Sequence, residues 1–140
     1  MQQRNLVLIL ARDLADKLAS AVFVVDDEGT LVYFNEAAAE ILGKTFGEVG
    51  MLSEAEWSKA FVPMELDGRE LDPEQLPLVV ARQHRRPSHR AFMIKNMEGE
   101  ERTIAVTALP LFARKDEFVG AAAVFWEHDV GETQGEESQA

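Results

Sequence analysis

The chain contains no cysteine. Disulfides, thiolate metal sites and cysteine nucleophiles are therefore excluded, and a reducing compartment is compatible with this composition. Basic charge is also scarce. Fourteen Lys and Arg face twenty-five Asp and Glu, for a formal net charge of −11. Nucleic acids and anionic membrane surfaces both demand clustered Lys and Arg, so neither is an expected partner. Long hydrophobic runs are missing too, since nothing approaches the roughly 20 apolar residues needed to cross a bilayer. The run Leu6 to Ala11 is short, and Arg12 and Asp13 follow where a secretory signal would place small residues for cleavage. These absences predict a soluble, cytoplasmic chain.

What is present fits one domain. The chain has 140 residues, 46% of them hydrophobic, which is enough for a single core. Residues 1–19 read as an amphipathic helix, 20–130 as the globular unit, and 131–140 as an acidic tail expected to be disordered. Within 3–19, Val7, Leu10, Ala11, Leu14 and Leu18 recur at helical spacing. Leu6 and Ile9 widen that stripe beyond the needs of a half-buried helix.

Ala21 to Val25 and Leu31 to Phe34 are β-branched and aromatic runs flanking Asp26-Asp27-Glu28-Gly29, a hairpin signal. Asn35 is placed to cap a helix that Gly43 ends. Thr45 to Glu48 and Ser53 to Glu56 have the capping-box form. Asp67-Gly68 marks a turn. Asp72 to Leu76 reads as a single turn, with the longer helix starting at Pro77 and stopped by Pro87. Ser88–Lys95, Arg102–Phe112 and Phe118–Trp126 read as strands, with a charged loop over 113–117. The last strand is apolar on both faces, as expected of a central strand covered on both sides. The pattern predicts an α+β fold. It has a five-stranded antiparallel sheet, short helices on one face, and the N-terminal helix on the other.

Several motifs appear together in this order. Val24-Val25-Asp26-Asp27-Glu28-Gly29 leads to Phe34-Asn35-Glu36-Ala37-Ala38. Leu42-Gly43 is followed by Glu48. Asp67-Gly68-Arg69-Glu70-Leu71 precedes Leu76-Pro77-Leu78. Ala108-Leu109-Pro110-Leu111 and Val119-Gly120 lie in the closing hairpin, and Asp129-Val130 stands near the end. This ordered set resembles the PAS family of sensor and signalling modules over roughly residues 20–130. It departs at Arg114-Lys115-Asp116-Glu117, which lacks the usual Asp-Gly turn, and at Gly131, where the closing motif carries Thr.

The resemblance implies a stand-alone signalling module with no attached effector, acting by dimerisation and contact with a signalling partner. It also implies an apolar cavity. Phe23, Val25, Trp57, Phe61, Val79, Val80, Phe92, Ile94, Val106, Ala123 and Phe125 are its candidate walls, and a lipid-like or other apolar molecule the alternative ligand. Leu6, Val7, Ile9, Leu10, Leu14 and Leu18 are the candidate dimer interface. Arg82, Arg85, Arg86 and Arg90 form the one conspicuous basic run, a candidate contact for an anion or acidic partner. No cofactor is expected. PAS branches that tie a flavin or another chromophore to the protein use a Cys, and haem would need an axial His, for which only His84 is available. His84, His89 and His128 lack metal-ligand spacing, so no metal is expected. No nucleophile elbow, phosphate loop or paired catalytic signature is present, and the expectation is a binding module rather than an enzyme.

Overall fold

The structure is a computed structural model, and its description covers residues 2–128. The tail after 130 and the Asp129-Val130 motif lie outside the described residues. Helix α1 spans Gln2–Lys17, and the hairpin consists of β1 (Ala21–Asp26) and β2 (Leu31–Phe34). Three short helices follow: α2 (Glu36–Leu42), α3 (Phe46–Val49) and α4 (Glu54–Ala60). A 3-10 turn at Pro73–Gln75 leads into α5 (Pro77–His84). The chain then closes with β3 (Ser88–Lys95), β4 (Glu101–Arg114) and β5 (Glu117–Glu127).

The five strands form one antiparallel sheet in the order β2-β1-β5-β4-β3. The apolar β5 is the middle strand. Its odd residues Ala121, Ala123 and Phe125 join the main core under α2, α4 and α5. Its even residues Ala122 and Val124 face α1, with Val22, Val24 and Val32. The charged stretch 113–117 is a tight turn rather than a loop. Only Lys115 and Asp116 leave the ladder, because Arg114 still pairs with Glu117. That pairing extends both strands by a residue or two past their apolar ends.

Helix α1 lies across the sheet face opposite the other helices, but on a narrower stripe than its sequence suggests. Ala15 is buried, and Leu8 and Ala11 pack against the same cluster. The i, i+3, i+4 spacing puts these three on one face. Small residues let the helix come close. A Cβ on Gly120 would stand 3.2 Å from Leu8 Cδ2 and 2.3 Å from the Val25 carbonyl oxygen. The large side chains are left outside. Leu6, Ile9, Leu10 and Leu14 are between 52% and 59% exposed, and Leu18, just past the helix end, is exposed as well.

Two buried asparagines fix the frame. Asn35, 3% exposed, uses every hydrogen-bonding position of its amide. Its Oδ1 accepts from the Ala38 and Val22 amides, both at 3.0 Å. Its Nδ2 donates to the carbonyls of Ala15 (2.8 Å) and Ser20 (2.9 Å). One side chain thus caps α2, pins β1 and ends α1. At the other end of α2, Gly43 takes φ +90° as the C-cap, a conformation that favours glycine. There Asn96 donates to the Ile41 carbonyl at 3.1 Å. Its Oδ1 accepts from the Glu98 and Glu100 amides. Helix α2 is clamped at both ends to different parts of the sheet.

A polar cluster adds to the seat of α1. The Tyr33 hydroxyl donates to Asp16, and the Arg12 guanidinium stands 4.6 Å from the centre of the Tyr33 ring. Burial first, then the bond to Asp16, pushes the Tyr33 phenol up to about 12.

Two outcomes follow from this frame. Asn35→Ala leaves two buried amides and two carbonyls without their partner. It should cost on the order of 2–4 kcal/mol in urea unfolding, and a loss below about 0.5 kcal/mol would show that the hub is dispensable. Tyr33 is the only tyrosine, so absorbance near the tyrosinate band reads it alone. The folded protein should titrate near pH 12, against about 10 for the unfolded chain. The folded state keeps this proton longer, so its stability is fully present below the unfolded value. It declines as pH rises from there through the folded value. A midpoint near 10 in native protein would mean that α1 is not seated as described.

Candidate functional site

The inner face of the sheet and the helices above it line a cavity of about 80 Å³. Its floor comes from alternate residues of four strands: Phe23, Phe92, Ile94, Ile104, Val106, Ala123 and Phe125. Strand register sets them side by side. Ala123 lies between Phe23 on β1 and Ala108 on β4, and Phe125 lies opposite Val106. The small side chain of Ala123 among aromatic neighbours leaves volume unfilled.

The roof is Leu42 from α2, Trp57 and Ser58 from α4, then Phe61, Pro63, Leu76, Pro77 and Leu78. Helix α4 starts at a full capping box, with Ser53 and Glu56 exchanging bonds, and i, i+4 spacing brings Trp57 and Phe61 to one side. Their rings meet Phe23 edge-on, at centroid distances of 5.5 and 6.4 Å. Trp57 Nε1 donates to the Gly29 carbonyl at 2.7 Å, so its polar end is directed away from the cavity. Beside it, Arg82 of α5 binds Glu54 of α4 in bidentate fashion, at 2.5 and 2.9 Å. That bond holds the Arg82 guanidinium above its ordinary pKa. The β1–β2 turn, α4 and α5 are locked together at this corner.

Between the two roof residues Phe61 and Pro63 stands Val62, with φ +45°. A β-branched residue in the left-handed region is strained. Bonds on each side keep it there: Lys95 N–H to the Phe61 carbonyl (2.8 Å), Val62 N–H to Lys59 (3.1 Å), and Leu71 N–H to Pro63 (3.2 Å).

The structure brings Phe23, Trp57, Phe61, Phe92, Ile94, Val106, Ala123 and Phe125 to the cavity wall. Val25 and Val79 are buried elsewhere in the core, and Val80 is half-buried. Sequence reasoning did not select Leu42, Ser58, Pro63, Leu76, Pro77, Leu78 or Ile104. Ile104 shares the parity of Val106 and was within reach of the alternation. The others depend on how the roof folds over, which no local pattern reports.

The outer face carries the candidate interface. Leu6, Ile9, Leu10, Leu14 and Leu18 are exposed, and Val7 is half-buried. Leu109 and Trp126, on the same face of the sheet as α1, are exposed as well. The basic run is dispersed in its uses. Arg82 and Arg90 form ion pairs with Glu54 and Glu65, and Arg85 sits 4.7 Å over the Phe118 ring. Arg86 is exposed. His84 is exposed at the end of α5 and away from the cavity wall. Among the described residues no group of His, Asp and Glu could hold a metal ion, and no helix is long and apolar enough to cross a membrane.

Comparison with known proteins agrees with this architecture. The PAS fold domain of a protein from Colwellia psychrerythraea is similar over 87% of this chain and 97% of its own, at 14% identity and TM-score 0.62. The PAS domain of Bordetella pertussis BvgS is similar over 94% and 95%, at 17% identity and TM-score 0.59. A Rhodobacter sphaeroides LOV protein aligns over 99% of this chain and 74% of its own, at 15% identity and TM-score 0.69. At such identities these likenesses speak for the fold alone. No curated protein matches the sequence. The family model described as PAS fold matches residues 15–134, and with that match over most of its length the chain belongs to the PAS family.

Proposed function

We propose that this protein is a sensor and interaction module in signal transduction, working as a homodimer that contacts a signalling partner. The observation that carries the reading is the outer face of α1. The helix seats Leu8, Ala11 and Ala15 on the sheet and turns Leu6, Ile9, Leu10 and Leu14 to solvent. Burying a side chain of that size is worth roughly 1.5–3 kcal/mol, so a second surface is strongly favoured. A second copy suits it. The α1 segment holds three basic and two acidic residues in a chain of net charge −11, so two such helices meet without the repulsion that the overall charge would otherwise bring. A two-fold pairing offers each row its own complement.

A second reading is supported by the cavity: the module takes up a small apolar molecule. A flavin analogue figures in the work on one similar light-oxygen-voltage domain. That group does not fit the residues present here. The polar edge of a flavin's ring system would meet an apolar wall with no side-chain partner for it. The chain also has no cysteine for an adduct. Haem fits no better, because no His, Cys, Met or Tyr lines the cavity.

Light scattering tests the dimer. Wild type should be dimeric at micromolar concentration. Leu6→Glu with Ile9→Glu should give a folded monomer, since Leu8, Ala11 and Ala15 still seat the helix. The loss should be at least about 3 kcal/mol, a hundredfold or more in dissociation constant. A monomeric wild type, or a double variant that stays dimeric, would sink this reading.

A further inference from the structure

We propose that the cavity is a site for one uncharged molecule that makes no hydrogen bonds and is no larger than a single benzene ring. This rests on the ligand reading above and fixes its chemical class. Size sets the upper limit. The cavity holds about 80 Å³, roughly half of the ~150 Å³ apolar cavity that takes up benzene or xenon. Xenon or a short hydrocarbon enters without rearrangement, and one ring enters if the wall yields slightly.

The wall sets the polarity. Only two lining side chains carry a polar atom, and both are spoken for: Trp57 Nε1 by the Gly29 carbonyl, Ser58 Oγ by the Ala55 carbonyl at 3.4 Å. Among the described residues no buried side-chain nitrogen or oxygen lacks a partner. A ligand hydroxyl, amide or carboxylate would leave water and find no side-chain partner, which is unfavourable. Water itself needs two or more polar partners to stay in such a space, so the cavity is dry and entry of an apolar molecule displaces nothing ordered. The walls also resist collapse. The aromatic rings are braced edge to face, and Pro63 and Pro77 are held by a strained Val62 and by the first turn of α5.

The test uses the wild-type chain with xenon, benzene and phenol as probes, read by methyl and amide NMR shifts. Xenon and benzene should shift the resonances of Ile94, Ile104, Val106 and Ala123 saturably, and phenol should bind at least tenfold more weakly than benzene. Ala123→Leu, which fills the space, should abolish the benzene shifts while a native spectrum persists. Xenon mapping of the wild type decides the location even if that variant fails to fold. Phenol binding as well as benzene would overturn the class and leave a ligand cavity standing. Shifts confined to other parts of the molecule, or none with any probe, would overturn both.

Discussion

One amide side chain sets the relation between the three parts of this molecule. Asn35 is buried and satisfies two donors and two acceptors that belong to α1, the link at Ser20, β1 and α2. A buried polar group is tolerated only when paired, and here the pairing is complete in one geometry alone. Moving α1, or sliding β1 by one residue, would strand at least one of these groups. A one-residue slip of β1 would also turn Phe23 to the outer face. The orientation of Phe23 toward Trp57, and with it the cavity, depends on that side chain. Asn96 repeats the device at the far end of α2, so the helix is set between two fixed points.

The apolar character of the cavity is a product of what its polar atoms do elsewhere. The β1–β2 turn offers the Gly29 carbonyl to the Trp57 indole, and the Glu54–Arg82 pair closes over the same glycine. The desolvation cost of a half-buried ion pair is offset by bidentate geometry. Polar satisfaction is thereby moved to the corner of the domain, and the interior is left to rings and aliphatic side chains. The same economy governs α1. Ala11 and Ala15 approach the sheet closely with Leu8, and Leu6, Leu10 and Leu14 stay exposed.

Most of the scaffold was legible in the sequence because it is written in local chemistry. Thr45 and Ser53 form their capping boxes, Gly43 ends α2, and Pro77 begins α5 as its missing N–H requires. Phe92, Ile94 and Val106, candidate walls from the sequence, do line the cavity. The face of α1 was harder. Leucine periodicity marks a stripe but does not say whether the stripe or the alanines beside it meet the sheet. That is decided by the close approach permitted at Gly120 and Ala122, residues more than a hundred positions away. The roof residues Leu42, Pro63 and Leu76 were out of reach for a similar reason, since long-range placement and not periodicity brings them to the cavity.

The two tryptophans stand on opposite faces of the sheet and in different surroundings. Trp57 is 6% exposed in the cavity wall, and Trp126 is 44% exposed beside the His89 ring, 6.2 Å between centroids. Indole emission follows the polarity of its environment, so a buried Trp57 and an exposed Trp126 are expected to emit at different wavelengths. The molecule thus carries two optical channels, one for its inside and one for the sheet face that α1 crosses. With no thiol to compete, an acceptor dye placed on a single introduced cysteine would extend either channel into a distance measurement.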